Sequence, residues 1–134
     1  MSGMDASSNA EMMQRYVEAF KRKDWEAATV YWADDIVVHA QGRNPLAGDF
    51  FGKQAYLEHA GRIFTELGGT MELVEVHDVL VGEEHAVAWV EERAVRGERS
   101  LKFDRVNVYR LGDGRITEIW SYDSDPYALD EFWS

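Results

Sequence analysis

The sequence predicts an α+β fold in which a long, curled antiparallel sheet wraps as a cone around N-terminal helices. Two observations predict it. Up to Leu67 the apolar residues recur mainly at helical spacing, whereas from Thr70 onward the period becomes two. Four long strand candidates, 70–81, 85–96, 99–111 and 115–123, then follow with only GEE, GE and GDG between them. Such short glycine-bearing separators are hairpin turns, so the strands form a meander. Helices first and a meander afterwards place the helices on one face of one sheet. Strands this long twist and curl, which leaves a cavity between the concave face and the helices.

The elements follow in order. Residues 1–7 are small and polar and are expected to fray. Ser8 and Glu11 have capping-box spacing, and Met12, Met13, Tyr16, Val17 and Phe20 form an apolar stripe to about Lys23. Asp24 caps a second, short helix with Trp25, Ala28 and Trp32 on one face, ended by Asp34 and Asp35. Ile36 to Ala40 is β-branched and reads as a strand. Residues 42–52 are turn-rich, with a short strand around 49–51. The stripe Tyr56, Leu57, Ala60, Ile63, Phe64 and Leu67 marks the clearest helix, stopped by Gly68 and Gly69. After the meander, Pro126 halts the last strand, and Asp125 is placed to cap a short apolar tail.

Composition narrows the function. The 134 residues suit one domain, spanning 1–134, and 46% are hydrophobic. A net charge of −11 repels phosphate backbones and anionic lipid, so nucleic acid and membrane surfaces are not expected partners. No cysteine is present, which removes disulfides and thiol catalysis. The start has no basic region followed by an apolar core, and no apolar run approaches ~20 residues, so a soluble cytoplasmic protein is expected. No HExxH, no paired ligand spacing, no phosphate-cradling glycine loop and no G-x-S-x-G occurs, so neither a cofactor nor a metal is expected.

Candidate site residues come from strand patterning. In the strand 99–111, Leu101, Phe103, Arg105, Asn107, Tyr109 and Leu111 share one face, and its bulk assigns it inward. Arg105 and Asn107 are then polar groups on an apolar face and need partners, either in the protein or in a ligand. Val106 and Val108 point the other way and suggest a homodimer through the exposed sheet face. His39 ends a strand, where an imidazole can move protons near neutral pH. Asp123 and Asp125 stand at the end of the last strand, where a carboxylate can serve as acid or base. Trp32, Trp89, Tyr109 and Trp120 are candidate pocket walls.

Trp25 and the stretches 33–53, 66–80, 110–120 and 123–133 carry a resemblance covering roughly Met12 to Trp133. Together they resemble the SnoaL-like branch of the nuclear transport factor 2-like superfamily, which also contains ketosteroid isomerase. The resemblance implies a cone fold, an apolar pocket and a dimer through the convex face. Polyketide cyclases of this branch use an aspartate in the C-terminal segment as base, which points to Asp125 and then Asp123. The base of ketosteroid isomerase falls nearest His39, and its oxyanion-binding aspartate falls nearest Asn107. Limonene-type epoxide hydrolases use Arg-x-Asp with a second Asp on the next strand; here stand Arg105-Val106-Asn107 and Asp123.

These readings imply cofactor-free acid/base chemistry of isomerase or aldol-cyclase type on a hydrophobic carbonyl compound. The base is Asp125, Asp123 or His39, with Asn107 and Arg105 at the oxyanion. A non-catalytic ligand-binding or dimerisation domain and an epoxide hydrolase-like enzyme are the alternatives.

Overall fold

The computed structural model describes residues 5–134. Its elements run α1 (Ala6–Lys21), α2 (Trp25–Thr29), β1 (Trp32–Ala40), β2 (Gly48–Phe51), α3 (Lys53–Leu67), β3 (Gly69–Val81), β4 (His85–Arg96), β5 (Arg99–Gly112), β6 (Arg115–Asp123) and α4 (Pro126–Phe132). The six strands form one sheet in the order β2-β1-β6-β5-β4-β3. The predicted meander is its antiparallel part. The sheet is mixed rather than antiparallel throughout, because β1 joins β6 in parallel, with His39 opposite Trp120. That joint is what the sequence pattern does not show: it links two strands separated by most of the chain.

Local chemistry explains the shifts in boundaries. Asp5, not Ser8, caps α1, its carboxylate accepting from the Ser8 N–H at 2.8 Å, so residues 5–7 belong to a cap and helix rather than a frayed end. The fraying expected for residues 1–4 lies outside the described residues. Trp32 opens β1 instead of closing α2, and Asp34 and Asp35 are strand residues. Gly68 ends α3 in the left-handed conformation with φ 66°. Gly69 is needed for close packing instead. A Cβ there would lie 2.6 Å from the Trp133 ring, so glycine admits the C-terminal tryptophan.

Two apolar clusters pack on the concave face. One joins α1 to the sheet through Met13, Tyr16, Trp32, Ile36, Tyr109 and Ile116. The other gathers Ala94, Phe103, Leu129, Phe132 and Trp133, with Phe64 and Leu67 packed against it. Ile63 is the buried member of the α3 stripe, while Leu57 remains 39% exposed. Asn9 is buried on α1 and donates to the carbonyls of Gly82 and Glu83, which ties the helix to the β3–β4 turn. No helix among the described residues is long and apolar enough to cross a membrane.

Candidate functional site

Between the two apolar clusters the concave face carries a belt of polar side chains. Along β5 the inward positions read Leu111 and Tyr109, then Asn107 and Arg105, then Phe103 and Leu101. On β4 the same face reads Ala86, Ala88, Val90, Glu92 and Ala94, and on β6 it carries Ile119, Ser121 and Asp123. Cross-strand pairing aligns the polar members, with Arg105 opposite Asp123 and Asn107 opposite Ser121. Glu92 sits opposite Phe103, one diagonal step from Arg105.

Arg105 is the centre of the belt. Its Nε donates to Asp123 Oδ1 at 2.6 Å, and its Nη1 stands 3.1 Å from Glu92 Oε2. The second contact is a close charge pair without hydrogen-bond alignment, so the buried Glu92 Oε2 has no hydrogen-bond partner among the described residues. The belt still reaches solvent, since the side chains of Arg105 and Glu92 keep 20% and 17% of their surface, against 5% for Asp123. Burial would lower the Arg105 pKa, but the fields of Glu92 and Asp123 outweigh it and hold the guanidinium firmly charged. Burial pushes the Glu92 carboxyl above the ordinary range; Arg105 opposes that shift and Asp123 adds to it. Burial is the largest of these influences, which is why Arg105 does not return Glu92 to the usual value.

Neutral donors flank the ion pairs. Asn107 accepts from Ser121 Oγ at 2.7 Å through its amide oxygen, and its NH2 faces the Tyr109 hydroxyl with a second N–H left to donate elsewhere. Tyr56, from α3, has its phenol pKa raised by burial, with Arg105 opposing and Glu92 reinforcing the shift. Tyr109 is buried and held neutral chiefly by desolvation, with Glu92 adding to the shift. Trp32 is buried beneath the belt and donates its indole N–H to Tyr16 Oη at 3.1 Å.

The remaining predicted residues lie elsewhere. Asp125 is exposed and caps α4, accepting from the Ala128 N–H at 3.1 Å, the cap role that its place before Pro126 suggests. His39 points to the convex face, stacked on Trp120 with ring centroids 5.6 Å apart. Its two nitrogens each stand 2.6 Å from a carboxylate oxygen, Nδ1 from Asp49 and Nε2 from Glu118. The bonds to Asp49 and then Glu118 raise its pKa, and burial opposes them. Trp89 and Trp120 also lie on the convex face, where Trp89 is 46% exposed against His77. Of the three candidate bases, His39 and Asp125 do not join Asn107 on the concave belt: strand alternation turns His39 outward, and the turn at Pro126 carries Asp125 to the cap of α4. Arg105, Asn107, Asp123 and Tyr109 are brought together.

Glu92 and the phenol of Tyr56 are site groups that the sequence pattern alone did not single out. Glu92 had a legible signal, since it is the one charged residue in the run of small apolar residues at alternate positions from Ala86 to Ala94.

Two open depressions lie away from the belt. One, of about 220 Å³, is lined by His39, Gln41, Asp49, Trp120 and Tyr122 among others. That is under the ~300 Å³ of an ordinary ligand site. The other, about 450 Å³, lies between the start of β5 and α4 and includes Arg99, Leu101 and Phe132, with none of the acid/base candidates drawn from the sequence. The belt is the better candidate because charge, burial and unmet hydrogen-bonding capacity coincide there. Among the described residues, no group of three or more His, Asp or Glu side chains has the geometry to hold a metal ion.

Comparison with known proteins agrees with this architecture. The family model of the SnoaL-like domain matches residues 13–119. An uncharacterized protein of Mycobacterium tuberculosis is 28% identical over 132 residues, covering 98% of this chain and all of its own. The structure of Bal32a, from a soil-derived mobile gene cassette, is 30% identical with a TM-score of 0.83, covering 96% of this chain and 98% of its own. An NTF2-like protein of Burkholderia xenovorans superposes with a TM-score of 0.75 at 19% identity, over 96% of this chain and 98% of its own.

Proposed function

Because this chain belongs to the SnoaL-like domain family, we propose that its concave belt performs cofactor-free acid/base chemistry on a hydrophobic carbonyl compound. The observation that carries the reading is Glu92: a carboxyl with one buried oxygen lacking a hydrogen-bond partner, 3.1 Å from Arg105, between two apolar clusters. A carboxylate whose pKa is raised by burial is a stronger base than a free one. In this reading Glu92 takes a proton from the carbon next to the carbonyl. The Asn107 amide and the Tyr56 phenol donate to the enolate oxygen. Glu92 then returns the proton at another carbon, or the enolate carbon closes on a second carbonyl. Arg105 orients Glu92 and holds Asp123, which is the rival base. Trp32 and Tyr109 form the floor.

One observation favours a second reading. The position two residues after Arg105 is Asn107, so it supplies no acid, but Glu92 brings a second carboxyl to Arg105 from the preceding strand. An Arg105 flanked by two acids resembles the epoxide hydrolase arrangement. There Asp123 would take a proton from the attacking water, and protonated Glu92 would give one to the epoxide oxygen. For assembly, we propose a homodimer through the convex face, where Trp89 and Tyr122 are 46% and 49% exposed beside Val106 and Val108.

The test is a panel of apolar ketones incubated with the protein in D2O, with exchange next to the carbonyl followed by NMR, beside a panel of apolar epoxides assayed for diols. Exchange that Asn107→Leu lowers by about 10²-fold supports the first reading. Diol formation without exchange supports the second. Binding without turnover of either kind returns the domain to a non-catalytic role.

A further inference from the structure

An arginine facing a ligand site ordinarily advertises an anion site, because its planar fork matches carboxylate and phosphate. Here the charge of that fork is already answered, although only its Nε–H is hydrogen-bonded. Asp123 takes Nε at 2.6 Å and Glu92 stands 3.1 Å from Nη1, so one cation meets two carboxylates. The flanking groups Asn107, Ser121, Tyr56 and Tyr109 are neutral. We infer that the belt selects uncharged, oxygen-bearing apolar ligands and rejects carboxylates of the same skeleton, with Asp123 as the residue that sets this specificity by masking Arg105. The inference rests on the belt being the ligand site proposed above.

Two further observations support it. The buried Glu92 Oε2, without an aligned donor, is satisfied by a ligand hydroxyl, or donates to a ligand carbonyl when Glu92 carries its proton. A ligand carboxylate would instead meet two protein carboxyls and leave a desolvated anion without a free cation. Packing the belt between apolar clusters strengthens this discrimination, because charges partly withdrawn from water are less screened.

The experiment uses pairs built on one skeleton, from acetophenone with benzoate to 2-acetylnaphthalene with 2-naphthoate and larger fused-ring pairs. Binding to the full chain is measured by calorimetry at pH 7.5 and followed at the Arg105 Nε–H signal by NMR. The expected result is that wild type prefers the ketone by at least about tenfold, and that Asp123→Asn, which frees Arg105 at nearly constant shape, gains at least about tenfold in carboxylate affinity. Glu92→Gln is the second unmasking variant, and is expected to move the ratio in the same direction. Wild type binding the carboxylate as tightly as its ketone overturns the inference and leaves the belt as the ligand site. Unchanged preference in both folded variants also overturns it. No binding of any ketone at the Arg105 signal overturns the belt as ligand site, and the inference with it.

Discussion

The sheet carries the same electrostatic motif on both faces, a cation between two carboxylates contributed by neighbouring strands. On the concave side Arg105 stands between Glu92 and Asp123; on the convex side His39 stands between Asp49 and Glu118. The two differ in exposure and in whether the cation can be lost. The Asp123 carboxylate is 5% exposed and Arg105 cannot shed its proton, so the inner unit is permanent and costly to break. Asp49 is 64% exposed and His39 titrates, so the outer unit is screened and conditional. Placement in the fold, not residue pattern, turns one motif into the anchor of the proposed site and the other into a surface tie between β2, β1 and β6.

The largest effect that separates them is the loss of the inner cation. Arg105→Met leaves two inward carboxylates facing each other, and chemical denaturation at pH 7 is expected to show a loss of roughly 3–5 kcal/mol. The loss should shrink as pH falls and the carboxyls protonate. A cost below ~1 kcal/mol at pH 7 would mean that the inner unit is as screened as the outer one.

Next in size is assembly, which reads the convex face as a whole. A Val106→Glu substitution puts a charge into the apolar patch beside Trp89 and Tyr122, opposite the Arg105 face. Sedimentation of wild type as a dimer at micromolar concentration is expected, with dimer affinity reduced at least about 10²-fold in the variant. Monomeric wild type would remove the convex face as an interface and leave the concave account untouched.

The smallest effect is the loss of the outer cation. His39→Gln should cost under ~1 kcal/mol, and the cost depends on pH in a defined direction. The folded-state pKa of His39 is raised, so its contribution is fully present below the unfolded value of ~6.5 and fades as pH rises through the folded pKa. Thermal melts of wild type and variant should therefore converge as pH increases. Divergence with rising pH would mean that His39 is held neutral in the fold.

How much of this was legible in the sequence depends on the range of the interaction. Turn glycines and period-two patterning are local, so β4 and β6 have the same ends in sequence and structure. The inward face of β5 was legible for the same reason, because bulk alternates along it. The parallel β1–β6 joint was not, since it depends on residues such as His39 and Trp120 that are far apart in the chain. Alternation along β1 buries Ile36 and Val38 and turns His39 outward, which is why this strand-end histidine belongs to the convex surface. Alternation places Glu92 inward, but a lone acid on a strand marks a site only beside a partner such as Arg105, which belongs to the neighbouring strand.

The central claim is that acid/base chemistry belongs to the inner unit. The most direct measurement compares Glu92→Gln with His39→Gln in the ketone exchange assay in D2O, with denaturation run on both. Because burial raises the Glu92 pKa, its neutral substitute should leave stability at pH 7 unchanged or higher. The account predicts that Glu92→Gln stays folded and loses about 10²-fold or more in exchange rate while His39→Gln keeps the wild-type rate. Full exchange in Glu92→Gln, with loss in His39→Gln, would place the chemistry on the opposite face of the sheet and contradict it.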